Sequence, residues 1–132
     1  AQTETQVSRS QVMAAQNQLS QAQQGLNASQ AAVDTALQQV ASARQQVVAA
    51  QTDVDREQVN LNAERRELKR NEQLLEDGVI SRQTVDQLRD RVATAEVALR
   101  NAQARLKSQQ LAINEAEARV TEARARASQQ VV

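Results

Sequence analysis

A large aliphatic residue recurs at every seventh position over the first half of this chain, and no other feature constrains the fold as strongly. The series starts at Val12 and reaches Leu75 without a polar member. A small residue stands three positions after each of the earlier members, as at Ala36 and Ala43. Aliphatic and small residues at the a and d positions of a heptad indicate long helices that pack along a narrow seam.

The same pattern restarts in the second half of the chain. Its a positions run from Val85 to Val120, and its d positions include Ala95, Ala102 and Ala116. Small d residues allow two helix backbones to approach closely. We therefore predict a seam between two helices, in which the main aliphatic residues are Val33, Val40, Val47, Val54, Leu61, Leu68, Val92, Leu99, Leu106, Ile113 and Val120.

The segment between the two repeats is the one place where the chain is expected to reverse direction. The chain has no Pro and only two Gly, and Gly78 lies between the repeats. Gly is suited to the left-handed residue that ends a helix, and the apolar residue after it, Val79, then packs on Leu74 one turn back. Ser81 is a favourable N-cap for a second helix. These residues predict a tight turn between two helices.

Two long helices joined by a short turn lie antiparallel. The predicted fold is therefore all-α, a long antiparallel two-helix coiled-coil hairpin, with a helix over residues 4–77, a tip at 78–80 and a second helix over 81–129. The arms are unequal in length. We expect the end of the second helix to lie near Leu26 and Ser29, so that earlier residues have no partner within the chain.

A break near residues 25–29 is the alternative for the first arm. Gly25 is a poor helix former, and Asn27 or Ser29 could cap a new helix that starts there. The preceding segment could then fold back as a third helix. The heptad phase passes through Gly25 without an insertion, which favours one continuous helix.

Composition excludes several functional classes. The chain has no Cys, His or aromatic residue, so it lacks the usual nucleophile–base pairs and we predict neither catalysis nor a cofactor. No acidic loop is long enough to hold a metal ion. Sixteen basic and sixteen acidic residues cancel, so nucleic acid is not an expected partner. No apolar run approaches the roughly 20 residues that a membrane span needs.

The turn carries a motif that resembles a known one. Arg70 is followed by Leu74 four positions later and by Ser81 eleven positions later. This spacing is similar to the tip motif of periplasmic adaptor proteins, also called membrane fusion proteins, of the HlyD, EmrA and MacA types. The Ala-, Leu- and Gln-rich heptads on both sides resemble the α-helical hairpin of that family over nearly the whole chain.

The resemblance implies a hairpin that links an inner-membrane transporter to a TolC-type outer-membrane channel, in a tripartite efflux pump or a type I secretion system. It assigns Arg70, Leu74, Gly78 and Ser81 to channel docking. It also implies self-association, with six copies in the full-length protein, and a periplasmic location with an inner-membrane anchor. Long hairpins favour ABC or major-facilitator transporters over the resistance–nodulation class. The half-lipoyl and β-barrel domains that flank a family hairpin lie outside this sequence, so we expect a segment of a larger protein.

The alternative is a structural or dimerising coiled-coil spacer that docks to no channel. Each residue of the motif has a purely structural use. Arg70 lies near a helix C-terminus, where a cation is favourable, Leu74 is the apolar partner of a helix-ending motif, and Ser81 is an N-cap.

Overall fold

Two long helices make up the protein. The computed structural model describes residues 2–131, with the side chains of residues 2–129. Helix α1 spans Gln2–Glu76 and helix α2 spans Arg82–Val131. Among the described residues no strand accompanies them. The predicted all-α helical hairpin is confirmed.

The helix ends differ slightly from the expected ones. Helix α1 begins at Gln2 and ends at Glu76, where the sequence predicted 4 and 77, and α2 begins at Arg82, where it predicted 81. Ser81 lies outside α2 because an N-cap residue does not itself have helical backbone angles. The connection therefore comprises residues 77–81, which we call the tip. The alternative of a helix break near residues 25–29 is not observed, because α1 continues through Gly25 as one uninterrupted helix.

Residues 42–113 form one compact unit, which contains the tip and the adjoining arms of both helices. One buried cluster of this unit comprises Leu61, Val92 and Ala95, with Leu68 and Leu99 packed against it. Leu61 is 2% exposed and comes from α1, whereas Val92 and Ala95 come from α2. The two arms of this unit are thus held together along the predicted heptad seam.

The seam of this unit has more polar d positions on α1 towards the tip. Glu57, Glu64 and Asn71 stand there and are only half-buried. Asn71 donates from its side-chain nitrogen to the backbone carbonyl of Glu67 at 2.7 Å and to the Glu67 carboxylate at 3.0 Å. Because charged and amide groups cost free energy when fully buried, they remain at the edge of the seam, where water still reaches them.

A second compact unit contains the remainder of each helix, described over residues 2–41 and 114–131. Its core is the group Ala36, Val40, Ala116 and Val120, with Ala123 packed against it. Three of these five are alanines, so the helices approach closely and the core is thin. Each buried alanine contributes less than a leucine would, because it removes less apolar area from water.

The first third of α1 in this second unit is exposed. Every described residue of the segment 2–24 is exposed, including the a-position residues Val12 and Leu19. Half-burial starts at Gly25 and Leu26, and Ser29 is the first buried residue, 9% exposed. A heptad pattern therefore continues along α1 where no described side chain of α2 covers it.

The predicted seam residues all fall on covered positions. Four of them are buried, namely Val40, Leu61, Val92 and Val120. The others are half-buried: Val33, Val47, Val54, Leu68, Leu99, Leu106 and Ile113. Several d-position alanines are buried more deeply than their large neighbours, and Ala102 is 1% exposed. Small residues at the point of closest helix approach have no side-chain end that reaches the solvent.

Candidate functional site: the hairpin tip

Helix α1 ends in a Schellman motif built on Gly78. The Val79 amide donates to the Leu74 carbonyl at 2.9 Å, and the Gly78 amide donates to the Leu75 carbonyl at 3.0 Å. Gly78 has a φ of 76°, in the left-handed region that side chains disfavour. The two bonds satisfy carbonyls that would otherwise lack a helical partner. They fix the direction in which the chain leaves α1.

Ser81 caps the start of α2. Its Oγ accepts a hydrogen bond from the Thr84 amide at 3.3 Å and shares a second hydrogen bond with the Thr84 hydroxyl at 3.0 Å. Val85, one residue further on, is completely buried, and Ile80 on the other side of the cap is half-buried. An apolar pair placed around an N-cap in this way fixes the angle at which the chain enters the helix. Both ends of the tip are therefore held by local bonds.

Arg70 lies on the exposed surface of α1 just before the tip. Its side chain is 69% exposed, and one guanidinium nitrogen donates to the Glu67 carboxylate at 2.7 Å. The other oxygen of that carboxylate accepts from Asn71. A guanidinium has five N–H donors, so a pair made through one nitrogen leaves donors that face the solvent. Arg70 is thus oriented by its own helix and still accessible.

The remaining residues assigned to docking have different degrees of exposure. Leu74 is half-buried, while Gly78 and Ser81 are exposed. The structure brings Leu74, Gly78 and Ser81 together around one turn through the bonds described above. Arg70 lies one helical turn before Leu74 on the same side of α1, because residues four apart share a helix face.

Val79 is a residue of the tip whose exposure the sequence did not indicate. We expected it to pack on Leu74, and its amide does bond to the Leu74 carbonyl, but 67% of the residue is exposed. The backbone bond and the side-chain contact are separable, and only the first is needed to end a helix. Val79 thus leaves an apolar side chain accessible at the tip.

The described residues give no support to a metal site or a membrane span. No group of three or more acidic side chains among them could hold a metal ion. Neither helix, over its described length, has an apolar stretch that could cross a bilayer.

The tip instead presents a guanidinium (Arg70), a hydroxyl (Ser81) and an exposed apolar side chain (Val79). Such a surface is suited to binding another protein.

Fold and tip together define a class: an α-helical hairpin that presents a capped, partly apolar turn. The sequence model of one family, the RND MFP alpha-helical hairpin domain, matches residues 46–116, which is more than half of the chain. The protein belongs to this family of membrane fusion protein hairpins. Comparison with curated proteins and with solved structures gives no match.

Membership of the family settles the general role. The chain is the hairpin of an adaptor protein, and adaptors of this family are non-enzymatic structural proteins that oligomerise and act between an inner-membrane transporter and an outer-membrane channel. They are periplasmic and anchored to the inner membrane. The family description names the RND class, whereas hairpin length favours ABC or major-facilitator transporters, and the transporter class stays a prediction.

Proposed function

We propose that this hairpin docks through its tip to a TolC-type outer-membrane channel, within a tripartite efflux pump or a type I secretion system. One observation carries the proposal: the family match covers both arms and the tip, where Arg70 and Val79 are exposed. In this reading six copies surround a periplasmic duct, and the exported substrate passes without chemistry on this chain. The inner-membrane partner is a transporter: hairpin length favours the ABC or major-facilitator class, whereas the family description names the RND (resistance–nodulation) class.

Each tip residue has a defined part in docking. Arg70 supplies solvent-facing N–H donors for carboxylates or carbonyls of the channel, and arginine is a common source of binding energy at interfaces. Val79 and the exposed edge of Leu74 supply apolar contact. Gly78 and Ser81 keep the turn rigid, so that little conformational freedom is lost when the tip binds.

A structural spacer without docking is the second candidate, and a specific observation favours it. Arg70 pairs with Glu67, Leu74 accepts the Schellman bond, and Ser81 caps α2. A turn with no partner would use the same residues. The two functions differ in one respect: only docking requires the charge of Arg70 beyond its ion pair with Glu67.

Charge reversal of Arg70 tests the proposal, because the chain offers a closely matched control. Arg56 occupies the same heptad position two heptads earlier, is 68% exposed and pairs with Asp53 at 3.1 Å. We expect Arg70→Asp in the adaptor that carries this hairpin to weaken channel binding roughly 30-fold, the effect of losing a hot-spot side chain worth about 2 kcal/mol. Arg56→Asp should leave binding unchanged.

The measurements are co-purification with the channel, export in cells, and helicity by circular dichroism. Equal channel binding by the two variants, at unchanged helicity, would show that the charge of Arg70 has no docking role. A further variant, Glu67→Gln, removes the ion pair and keeps the Arg70 charge. Docking should survive that change, whereas a loss as large as that of Arg70→Asp would mean that the pair itself is what the tip requires.

A further inference from the structure

Asp77 and Gly78 form the only Asp-Gly pair of the sequence. In such a pair the backbone nitrogen of the glycine can attack the carboxyl carbon of the aspartate, because glycine has no side chain to hinder the approach. Every other aspartate precedes a larger residue, namely Thr, Val, Arg or Gln, and these aspartates are Asp34, Asp53, Asp55, Asp86 and Asp90. Residue type alone therefore makes Asp77 the most reactive aspartate of the chain.

The backbone separates Asp77 from the other aspartates in a second way. All the others lie inside α1 or α2, where the amide of the following residue is bonded within the helical ladder. Releasing that amide interrupts the helix on both sides. Asp77 instead follows Glu76, the last residue of α1. The glycine after it can be released by local opening at a helix end, which costs less than opening a helix interior.

Few interactions hold this part of the tip closed. The Gly78 amide donates to the Leu75 carbonyl at 3.0 Å, and the Val79 amide donates to the Leu74 carbonyl at 2.9 Å. Gly78 is exposed, and no residue beyond its chain neighbours lies within 4 Å of a Cβ built on it. Asp77 is exposed too, and no hydrogen bond or ion pair fixes its carboxylate within the described part of the chain. Opening the turn therefore breaks two backbone bonds and uncovers no core.

We propose that Asp77 is a site of spontaneous covalent modification, at which the aspartate isomerises to isoaspartate through a cyclic succinimide. When the turn opens, the Gly78 nitrogen attacks Cγ of the Asp77 carboxyl group in its acid form. The N–Cγ bond forms, the Cγ–OH bond breaks, and the hydroxyl leaves with the amide proton as water. Water then adds to one of the two imide carbonyls. Ring opening at the Asp77 backbone carbonyl leaves isoaspartate, whereas ring opening at Cγ restores aspartate.

Isoaspartate changes the path of the backbone at the end of α1. The chain then runs through Cβ and Cγ of residue 77, so one carbon is added before Gly78, and the former backbone carboxyl becomes a side chain. The added atom displaces the amides of Gly78 and Val79 from the carbonyls that they meet in the Schellman motif. The modification therefore loosens the tip. Weaker channel binding by modified copies rests on the proposed function, in which a rigid tip loses little conformational freedom on docking.

Peptide mapping by mass spectrometry tests the site. The folded chain is kept for several weeks in water enriched in heavy oxygen and then digested, and isoaspartate is located by its retention, its fragmentation and the incorporated label. We expect isoaspartate at Asp77 and roughly tenfold less at any helical aspartate, because amides inside a helix open far more rarely. In guanidinium chloride the rate at Asp77 should rise roughly 30-fold, since two hydrogen bonds of ordinary net strength close the folded turn.

Two variants at the same position supply matched controls. Asp77→Glu keeps the carboxylate, but its extra methylene requires a larger ring that closes far more slowly, so no product is expected at position 77. Asp77→Asn should form the same succinimide faster, with loss of ammonia instead of water. Isoaspartate that forms at Asp77 in guanidinium chloride and never in the folded chain would overturn the proposal, because the turn would not open. Equal yields at Asp77 and at the helical aspartates would also overturn it.

Hydrogen exchange on the separated isoaspartyl chain tests the loosening of the tip. The amides of Gly78 and Val79 should exchange roughly tenfold faster than in the unmodified chain, whereas amides around Leu61 should be unchanged. Unchanged exchange at Gly78 and Val79 would overturn the loosening.

The modification and channel docking fail separately, because neither peptide mapping nor hydrogen exchange involves the channel. Absent isoaspartate with channel binding that still depends on Arg70 would overturn the modification alone. Isoaspartate at Asp77 with channel binding that is indifferent to Arg70→Asp would overturn docking and leave the modification in place.

Discussion

Two stretches of α1 have the same heptad pattern and opposite burial. In residues 2–24 the a-position residues Val12 and Leu19 are 55% and 61% exposed, whereas further along Val40 and Leu61 are 5% and 2% exposed. The difference is the partner, since the described residues of α2 cover only the later stretch. A heptad therefore encodes the capacity to pack, and the presence of a second helix decides whether that capacity contributes to stability.

The comparison also explains where the hairpin gains its stability. A buried leucine contributes roughly 1.5–3 kcal/mol relative to an exposed one, so the covered stretch accounts for most of the apolar contribution. The exposed stretch is rich in Gln and Ala and depends on helix propensity alone. In proteins most helical stability comes from the packing of an apolar face, and in this stretch that face is exposed.

Leucine truncation at matched positions gives the largest expected contrast. Leu61→Ala should lower the free energy of unfolding by about 2–5 kcal/mol, because it leaves a cavity in the buried cluster that Leu61 forms with Val92 and Ala95. Leu19→Ala, at an exposed a position of the same helix, should change it by less than about 0.5 kcal/mol. Urea unfolding followed by circular dichroism measures both. Similar losses at the two positions would mean that the exposed stretch has a partner in solution, and the comparison would then fail.

Sequence reasoning reached the fold because every level of the pattern agreed. The a/d periodicity, the absence of Pro and the single left-handed glycine between the repeats all specify one hairpin. The exposure of Val79 was not predictable in the same way. Its side-chain position depends on the exact direction of the turn, which local motifs leave open.

The two glycines provide the next contrast, with effects of opposite sign. Gly78→Ala should destabilise the hairpin by about 1–2 kcal/mol, since an alanine at a φ of 76° is strained even though no residue beyond its chain neighbours lies within 4 Å of the added Cβ. Gly25→Ala lies within a helix, where replacing glycine should add about 0.5–1 kcal/mol. Thermal unfolding of both variants measures the sign of each change in stability. A loss at Gly25 would indicate that the boundary between exposed and covered stretches needs a small residue.

The ion pair between α1 and α2 gives the smallest expected effect. It tests whether apolar packing alone holds α2 against the covered stretch of α1. Arg65 and Glu96 are 54% and 42% exposed and lie 3.4 Å apart, so water screens their attraction. A double-mutant cycle with Arg65→Ala and Glu96→Ala should give a coupling free energy of about 0.2–1 kcal/mol that shrinks with added salt. The matched cycle on Arg56 and Asp53, a pair within α1 at 3.1 Å, should give a coupling of about 0.3–0.5 kcal/mol. If the coupling free energy of the pair across the helices proved several times larger than that of the pair within α1, electrostatic attraction would also stabilise the packing of α2 on α1. The covered stretch would then be stabilised by ion pairs as well as by its buried a and d residues.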